Sequence, residues 1–392
     1  MKEWKEYKIK NIAEVVGGGT PKTSIKEYWG GEIGWITPRD LSGYNKIYIS
    51  QGERNITQLG LKKSSAKLMP TGTVLMSSRA PIGYLAIASN EISTNQGFKS
   101  LVVNQEKANN LFVYYWLKAN MTYIKSNGTG STFSEISGSV VKDLDVLLPP
   151  FSEQKAIADV LSSLDDKIDL LHRQNETLEA LAETLFRQWF VEKAKEDWEA
   201  TTLYEAIVLI GGGTPKTSVK EYWNGEIKWL SGGDITYNHK SVVMTSEKTI
   251  TELGLNNSSA KLLPKFSTVI SARGTVGKYC ILSEPMTYSQ SNYGIKPKFK
   301  DCFFFTYLLV SNSVEELNSA AYGSVFDTIT TNTFKGIEIS IPTEEEIQSF
   351  EVRVRDYFLK ILNNQTQIHT LSQLRDTLLP KLMSGEVRVN TI

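Results

Sequence analysis

The chain has 392 residues, of which 41% are apolar and 22% charged, and its 43 Lys and Arg balance 43 Asp and Glu to a net charge of zero. This composition excludes a disordered chain, a polybasic tail and an acidic shell, and the length suits two to three domains. Two cysteines (Cys280, Cys302) and three widely spaced histidines (His172, His239, His369) exclude a disulfide framework and a CxxC zinc site, and argue against a histidine metal centre. Met1 leads straight into Trp4-Lys5-Glu6, and no uncharged apolar run of eighteen residues follows, so a soluble cytoplasmic protein with no membrane partner is expected.

In chain order the elements run twice. Residues 17–24 read GGGTPKTS and residues 211–218 read the same; over 17–40 there are 17 identities in 24 at an offset of 194. A second block, ITQLGLKKSSAKLMP (56–70), meets ITELGLNNSSAKLLP (250–264) with 11 identities in 15. Arg79 meets Arg273, Gly83 meets Gly277, Gln96 meets Gln290, and Gly130-Ser131 meets Gly323-Ser324. So long a period means two copies of a domain rather than a solenoid.

Within each copy a turn-rich loop, whose glycines are expected at positive φ, leads to a short strand near Gly34–Thr37. Apolar runs at Val74–Met76, Tyr84–Ala88 and Leu101–Val103, bounded by Gly, Pro, Asn and Ser, predict further strands. Leu111–Lys125 and Phe303–Glu316 predict buried helices. Pro149-Pro150 and Pro342 close the globular parts. The expected domains are therefore 1–151 and 197–342, mixed α/β (α+β), with long helices in 152–196 and 343–392.

The first long helix carries a seam at Ile157, Leu161, Leu164, Ile168, Leu171, Asn175, Leu178, Ala182, Leu185 and Trp189. The second carries one at Ile347, Phe350, Val354, Tyr357, Ile361, Asn364, Ile368, Leu371, Arg375, Leu378 and Leu382. Spacings of four and three make these heptad seams, on helices roughly 60 Å long. Two such helices predict an antiparallel coiled coil with pseudo-two-fold symmetry. Asn175 opposite Asn364 sets the register, which places Trp189 against Phe350 and Ile157 against Leu382.

Charge is uneven by segment. Residues 1–151 carry net +6, 152–196 carry −4, and 197–342 and 343–392 carry −1 each. A DNA binder should be basic where it touches phosphates; the first copy fits by count and the second does not. GGGTPKTS is no phosphate loop, because Pro21 and Pro215 stand where the P-loop has its last Gly and offer no N–H. No Rossmann, nucleophile-elbow, zincin or adenine-methyltransferase motif is present, so a binding scaffold without catalysis is favoured over a bilobal enzyme with an unrecognised cofactor site or a scaffold that binds no DNA.

Taken together the motifs resemble those of the specificity subunit of Type I restriction–modification enzymes. The residues are Thr20-Pro21, Tyr28-Trp29-x-Gly31-x-Ile33-x-Trp35, Asp40, Val74–Arg79 running on to Ile82-Gly83, Asn95-Gln96, Pro149-Pro150-x-x-Glu153-Gln154, Leu185–Phe190 and Leu374–Gly385, with their second-copy matches. Glu346-Ile347 in place of Glu153-Gln154, and Ser289-Gln290-Ser291 in place of Asn95-Gln96-Gly97, depart from it. The resemblance implies two target-recognition domains, each reading half of a bipartite sequence in double-stranded DNA. It implies helices that space them and dock two modification (methyltransferase) subunits, with restriction (motor-nuclease) subunits joining. S-adenosylmethionine, ATP and Mg²⁺ would belong to those partners, and this chain would hold no cofactor or metal.

The repeat serves as an internal control. Residues shared by both copies suit framework or phosphate contacts, whereas base readers belong where the copies diverge: 38–55 against 232–249, 80–95 against 274–289, and 127–135 against 320–328. Thr20 is a candidate DNA contact, and Lys22 and Lys216, on the shared loop, are candidate phosphate ligands or plain loop lysines. Arg79 and Arg273 either reach phosphate or pair with a carboxylate such as Asp40 or Asp234, the pair being slightly favoured. Arg39, aligned with Gly233, is a candidate base reader, since Arg to guanine is the commonest specific contact. Gln96 and Gln290 could be bidentate to adenine but, being shared, better suit DNA backbone; Ser131, Thr132 and Ser324 suit a close groove approach or a turn, and Tyr44 and Tyr237 weak base contacts. Trp29, Trp35, Trp223 and Trp229 are expected in cores. Phe186, Trp189, Phe190, Leu378, Leu379 and Leu382 either dock methyltransferase helices or pack on their own domains.

Overall fold

The structure, a computed structural model, describes residues 3–128, 134–322 and 327–389. Ser131, Thr132 and Ser324 lie outside them. The chain forms two compact units, one made of Met1–Leu170 with Thr370–Ile392 and the other of Leu171–His369.

The first unit holds strands β1 (Lys5–Lys8), β2 (Ala13–Gly17), β3 (Trp29–Ile36), β4 (Tyr48–Ile49), β5 (Arg54–Ile56), β6 (Val74–Ser78), β7 (Ile82–Ala88), β8 (Ile92–Thr94), β9 (Lys99–Val103) and β10 (Asp145–Leu148). The second holds β11 (Glu199–Thr202), β12 (Ile207–Gly211), β13 (Trp223–Leu230), β14 (Val242–Val243), β15 (Lys248–Ile250), β16 (Thr268–Ser271), β17 (Tyr279–Leu282), β18 (Thr287–Tyr288), β19 (Asn292–Pro297) and β20 (Glu338–Ile341). In the first unit the orders are β2-β9-β6-β7-β4, β5-β3-β8 and β1-β10. Adding ten to every strand number gives the orders of the second. The duplication is thus one of topology as well as sequence.

Strand alternation builds two cores per unit. Val74 and Met76 of β6, Ile87 of β7 and Leu101 of β9 enter one core. Their neighbours Leu75, Ala86 and Ala88 enter another on the opposite face, as a period of two requires. In the second unit Ile270, Tyr279 and Ile281 face one core, and Val269, Cys280 and Leu282 the other.

The larger core of each unit is covered by a helix. In the second unit this is Phe303–Tyr322. In the first, the single helix expected over Leu111–Lys125 is two, Asn110–Ala119 and Met121–Ser126. The break is Asn120, which leaves helical geometry while its side-chain amide donates back to the Trp116 carbonyl at 2.9 Å. A short side chain that bonds nearby backbone competes with the helix ladder in this way.

The long helices are Phe151–Arg187, followed by a π-turn at Gln188–Glu192, and Glu344–Ser384. In each unit their segments run antiparallel. In the first, Asp165 meets Arg375 (2.5 Å) and Glu153 meets Arg388, and Ile157, Leu161, Leu379 and Leu382 share a core. In the second, Asn364 Nδ2 donates to Asn175 Oδ1 at 2.9 Å, and the Trp189 and Phe350 rings lie 5.6 Å apart. Arg375, a polar residue in an apolar seam, is answered by Asp165, which also accepts from the Tyr115 hydroxyl at 2.8 Å. Among the described residues no helix is long and apolar enough to cross a membrane.

Candidate nucleic-acid interface

The shared loop is held by the shared tryptophans. Trp35 Nε1 donates to the Gly19 carbonyl (2.9 Å) and Trp29 Nε1 to the Lys22 carbonyl (3.3 Å). Trp229 and Trp223 do the same for Gly213 (2.9 Å) and Lys216 (3.2 Å). Each indole pair stacks edge-on, with ring centres 4.9 and 5.2 Å apart. Only the first copy adds Arg54, whose guanidinium lies 3.7 Å from the Trp29 ring centre. The loop glycines are not at positive φ, contrary to expectation. The second and third glycine of each run are small because the backbone passes too close for a side chain, whereas Gly17 and Gly211 have open space. A Cβ on Gly18 would lie 1.9 Å from the Asn95 carbonyl oxygen, and one on Gly19 would lie 2.3 Å from Ser65. Lys22 and Lys216 remain exposed at the rim. Thr20 donates its hydroxyl to Gln96 Oε1, which joins two of the candidate residues. Gln290 is exposed.

The shared aspartates lock turns and do not pair with the shared arginines. Asp40 accepts from Thr37 N (2.7 Å), Thr37 Oγ1 (2.6 Å) and Glu53 N (2.7 Å). Asp234 accepts from Ser231 N (2.8 Å), Ser231 Oγ (2.6 Å) and Glu247 N (3.0 Å). Each carboxylate is saturated by local donors, so Arg79 turns elsewhere and faces Glu135 at 3.7 Å. Arg273 is exposed and makes no ion pair among the described residues.

The divergent segments adjoin one another in each unit. In the first, the Tyr84 hydroxyl reaches Ser42 (3.4 Å), which joins the first segment to the second, and Ala80, Pro81 and Ile82 of the second line one cavity with Ser134 and Glu135 of the third. In the second, Thr236 meets Thr275 (2.5 Å), which joins the first segment to the second, and Ile329, just past the third, donates its N–H to the Ala272 carbonyl (3.0 Å), two residues before the second. Arg39 is almost fully exposed, with only a loose 3.8 Å pairing to Glu53. Tyr237 is 90% exposed. Tyr44 is half-buried, and its hydroxyl donates to the Tyr48 carbonyl. In the second unit His239 accepts from Tyr279 N, and burial and the neighbouring Lys278 hold its imidazole below the usual range.

Sequence reasoning did not single out Lys99, Lys125 and Glu135. They sit with Arg79, and Arg79, Ala80, Pro81, Ile82, Lys125, Ser134 and Glu135 line a cavity of about 720 Å³. The signal was available: Glu135 lies inside a divergent segment, at its last residue.

The helix residues proposed for docking are taken up internally. Phe186, Leu379 and Leu382 are buried. Trp189 and Phe190 pack on the second unit's core, and Leu378 on the first unit's. Phe190 stands 4.8 Å from Phe350 and 5.3 Å from Phe305, ring centre to ring centre. Packing on the chain's own domains is thus what these side chains do. The large apolar residues that the long helices leave exposed are others: Phe151, Val160, Leu170, Leu181, Val352, Leu359 and Leu374.

A frame kept twice, with one variable edge on each copy, is the form of a modular recognition protein. The chain belongs to the Type I restriction–modification specificity-subunit family: the Type I restriction modification DNA specificity domain matches residues 1–180 and again residues 195–375. The Type I restriction enzyme MjaIX specificity subunit of Methanocaldococcus jannaschii is 35% identical over 413 residues, spanning all of this chain and 95% of the relative. The HindI specificity subunit of Haemophilus influenzae is 25% identical over 470 residues, spanning 99% of this chain and all of the relative. The crystal structure of the Type I restriction–modification S subunit from M. genitalium shares the fold, with a TM-score of 0.63 at 15% identity over 99% of this chain and 97% of that one.

Proposed function

We propose that this chain is the DNA-reading, non-catalytic subunit of a Type I restriction–modification complex. Each recognition domain, 1–151 and 197–342, reads one half of a bipartite target in double-stranded DNA. The helices in 152–196 and 343–392 set the unread gap and dock two modification (methyltransferase) subunits, to which restriction (motor-nuclease) subunits are added. S-adenosylmethionine, ATP and Mg²⁺ act on those partners. Arg39, Tyr44 and Tyr237 lie at the reading edges; Lys22, Lys216, Arg273, Gln96 and Gln290 suit backbone contact. The exposed helix residues, Phe151 to Leu374, are better placed for docking than the buried ones.

The observation that carries this reading is that divergent segments meet, all three in the first unit and the first two in the second, on a frame that both copies keep. Phosphate contacts position a reader and base contacts specify, so a constant frame with a variable edge divides the two tasks. The test is to graft segments 38–55, 80–95 and 127–135 from another family member and to map methylation in a host supplying the partner subunits. One half of the recognised sequence should change while the other half and the gap persist. Change in both halves would defeat the assignment.

A further inference from the structure

The two units place different residues at one equivalent backbone position. In the first, Ile136 N donates to the Ser78 carbonyl at 3.0 Å, which extends the edge of β6, and Glu135 bridges Arg79. In the second, Ile329 N donates to the Ala272 carbonyl at 3.0 Å, so Thr328 stands where Glu135 stands. The surroundings differ with it. Lys125 approaches Gly83 in the first unit, and Asn318 approaches Gly277 in the second. Lys99 has Tyr293 as its counterpart, packed on Phe334. Only the arginine is common, as Arg79 and Arg273. The first unit thus sets one carboxylate among three cations beside a cavity, and among the described residues the second shows no such cluster around Arg273.

Stability does not explain that carboxylate. Glu135 stands 3.7 Å from Arg79 and 3.6 Å from Lys99, with 42% of its side chain exposed. Loose, exposed pairs of this kind contribute about 0–1 kcal/mol. Phosphate affinity does not explain it either, because a carboxylate repels the DNA backbone that the three cations attract. A carboxylate gains at such an edge by accepting a hydrogen bond from a base amino group, and cytosine N4 is the usual partner.

Resting on the reading proposed above, we infer that Glu135 is a base-specifying residue of the first recognition domain. It accepts from cytosine N4 at one G·C pair of that domain's half-sequence, and Arg79 and Lys99 orient it. Its backbone place is preset by the Ile136–Ser78 hydrogen bond.

The experiment maps methylation in a host carrying the whole complex, with wild-type chain, Glu135→Thr and Glu135→Gln. Threonine is the residue that the second unit carries at this place, so the substitution suits the fold, and thermal unfolding of each variant checks it. With threonine, discrimination should fall on the order of ten-fold or more at one G·C position of one half-sequence, with the other half unchanged. Glutamine keeps an acceptor oxygen and should show a smaller loss at that same position. An unchanged motif in both variants overturns the inference. So does relaxation at an A·T pair, or uniform loss at all positions with unfolding unaltered, which would make Glu135 a general affinity residue. A wild-type complex with no bipartite motif would instead defeat the underlying reading.

Discussion

Glu351 shows how one residue can be exchanged for another in the same task. It is 2% exposed, and its carboxylate accepts from the backbone N–H of Phe304 (3.1 Å) and Phe305 (2.8 Å), at the start of the helix Phe303–Tyr322. In the first unit the neutral Gln154 does comparable work, accepting from Asn109 N at 2.9 Å beside the helix Asn110–Ala119. Burial pushes the Glu351 carboxyl up to about 7, against the opposing pull of its two N–H donors. A carboxyl raised in the folded state binds its proton more tightly there than in the unfolded chain. The stability it contributes is full below the unfolded value of about 4.5 and is lost as pH rises through about 7. Glu351→Gln should therefore stabilise the chain by about 1–3 kcal/mol at pH 8 and by little at pH 5. Thermal unfolding across that range checks it; equal gains at both pH values would count against the buried carboxyl.

Among the elements, the antiparallel helix pair of the second unit turns on Asn364. It is fully buried and bonded to Asn175, and its own Oδ1 finds no partner among the described residues. Asn364→Leu alone should cost about 1–3 kcal/mol, because it strands a buried amide on Asn175. The double change to Leu at 175 and 364 should be at least as stable as wild type, since a matched apolar pair replaces an imperfect polar one. Urea unfolding of the three variants separates these outcomes. The seam was legible in the sequence because heptad spacing is a local signal. The break at Asn120 was not, because the surrounding run is apolar on both sides and only a side-chain bond back to Trp116 reveals it. The Arg79 partner was missed for a related reason. Glu135 is distant in sequence, and Asp40 looked equally suitable until its oxygens were seen to be occupied by backbone.

For the molecule as a whole, duplication was the most informative part of the sequence, because it predicted that both copies keep one order of elements. What it did not reveal was why particular shared residues are shared. Gly18, Gly19, Gly212 and Gly213 stand where backbone crosses backbone, which no local rule about turns detects. The helices supply the remaining prediction. Shortening both long helices by one heptad each keeps their seams in register and should change the unread gap while both half-sequences stay as they were. Methylation mapping on that variant decides it, and an altered half-sequence would remove the helices from the role of spacer.

The first and last strands of each globular copy carry a further consequence. β1 pairs with β10 residue by residue, from Lys5 with Leu148 to Lys8 with Asp145, and β11 pairs with β20 in the same way. The chain enters and leaves each copy through one two-stranded doorway. Everything between those strands could therefore be exchanged as a cassette, with two crossovers, leaving the fittings on either side undisturbed. On the reading proposed above, new sequence preferences would then arise by recombination in a single step, without waiting for point mutations to rebuild a reading edge.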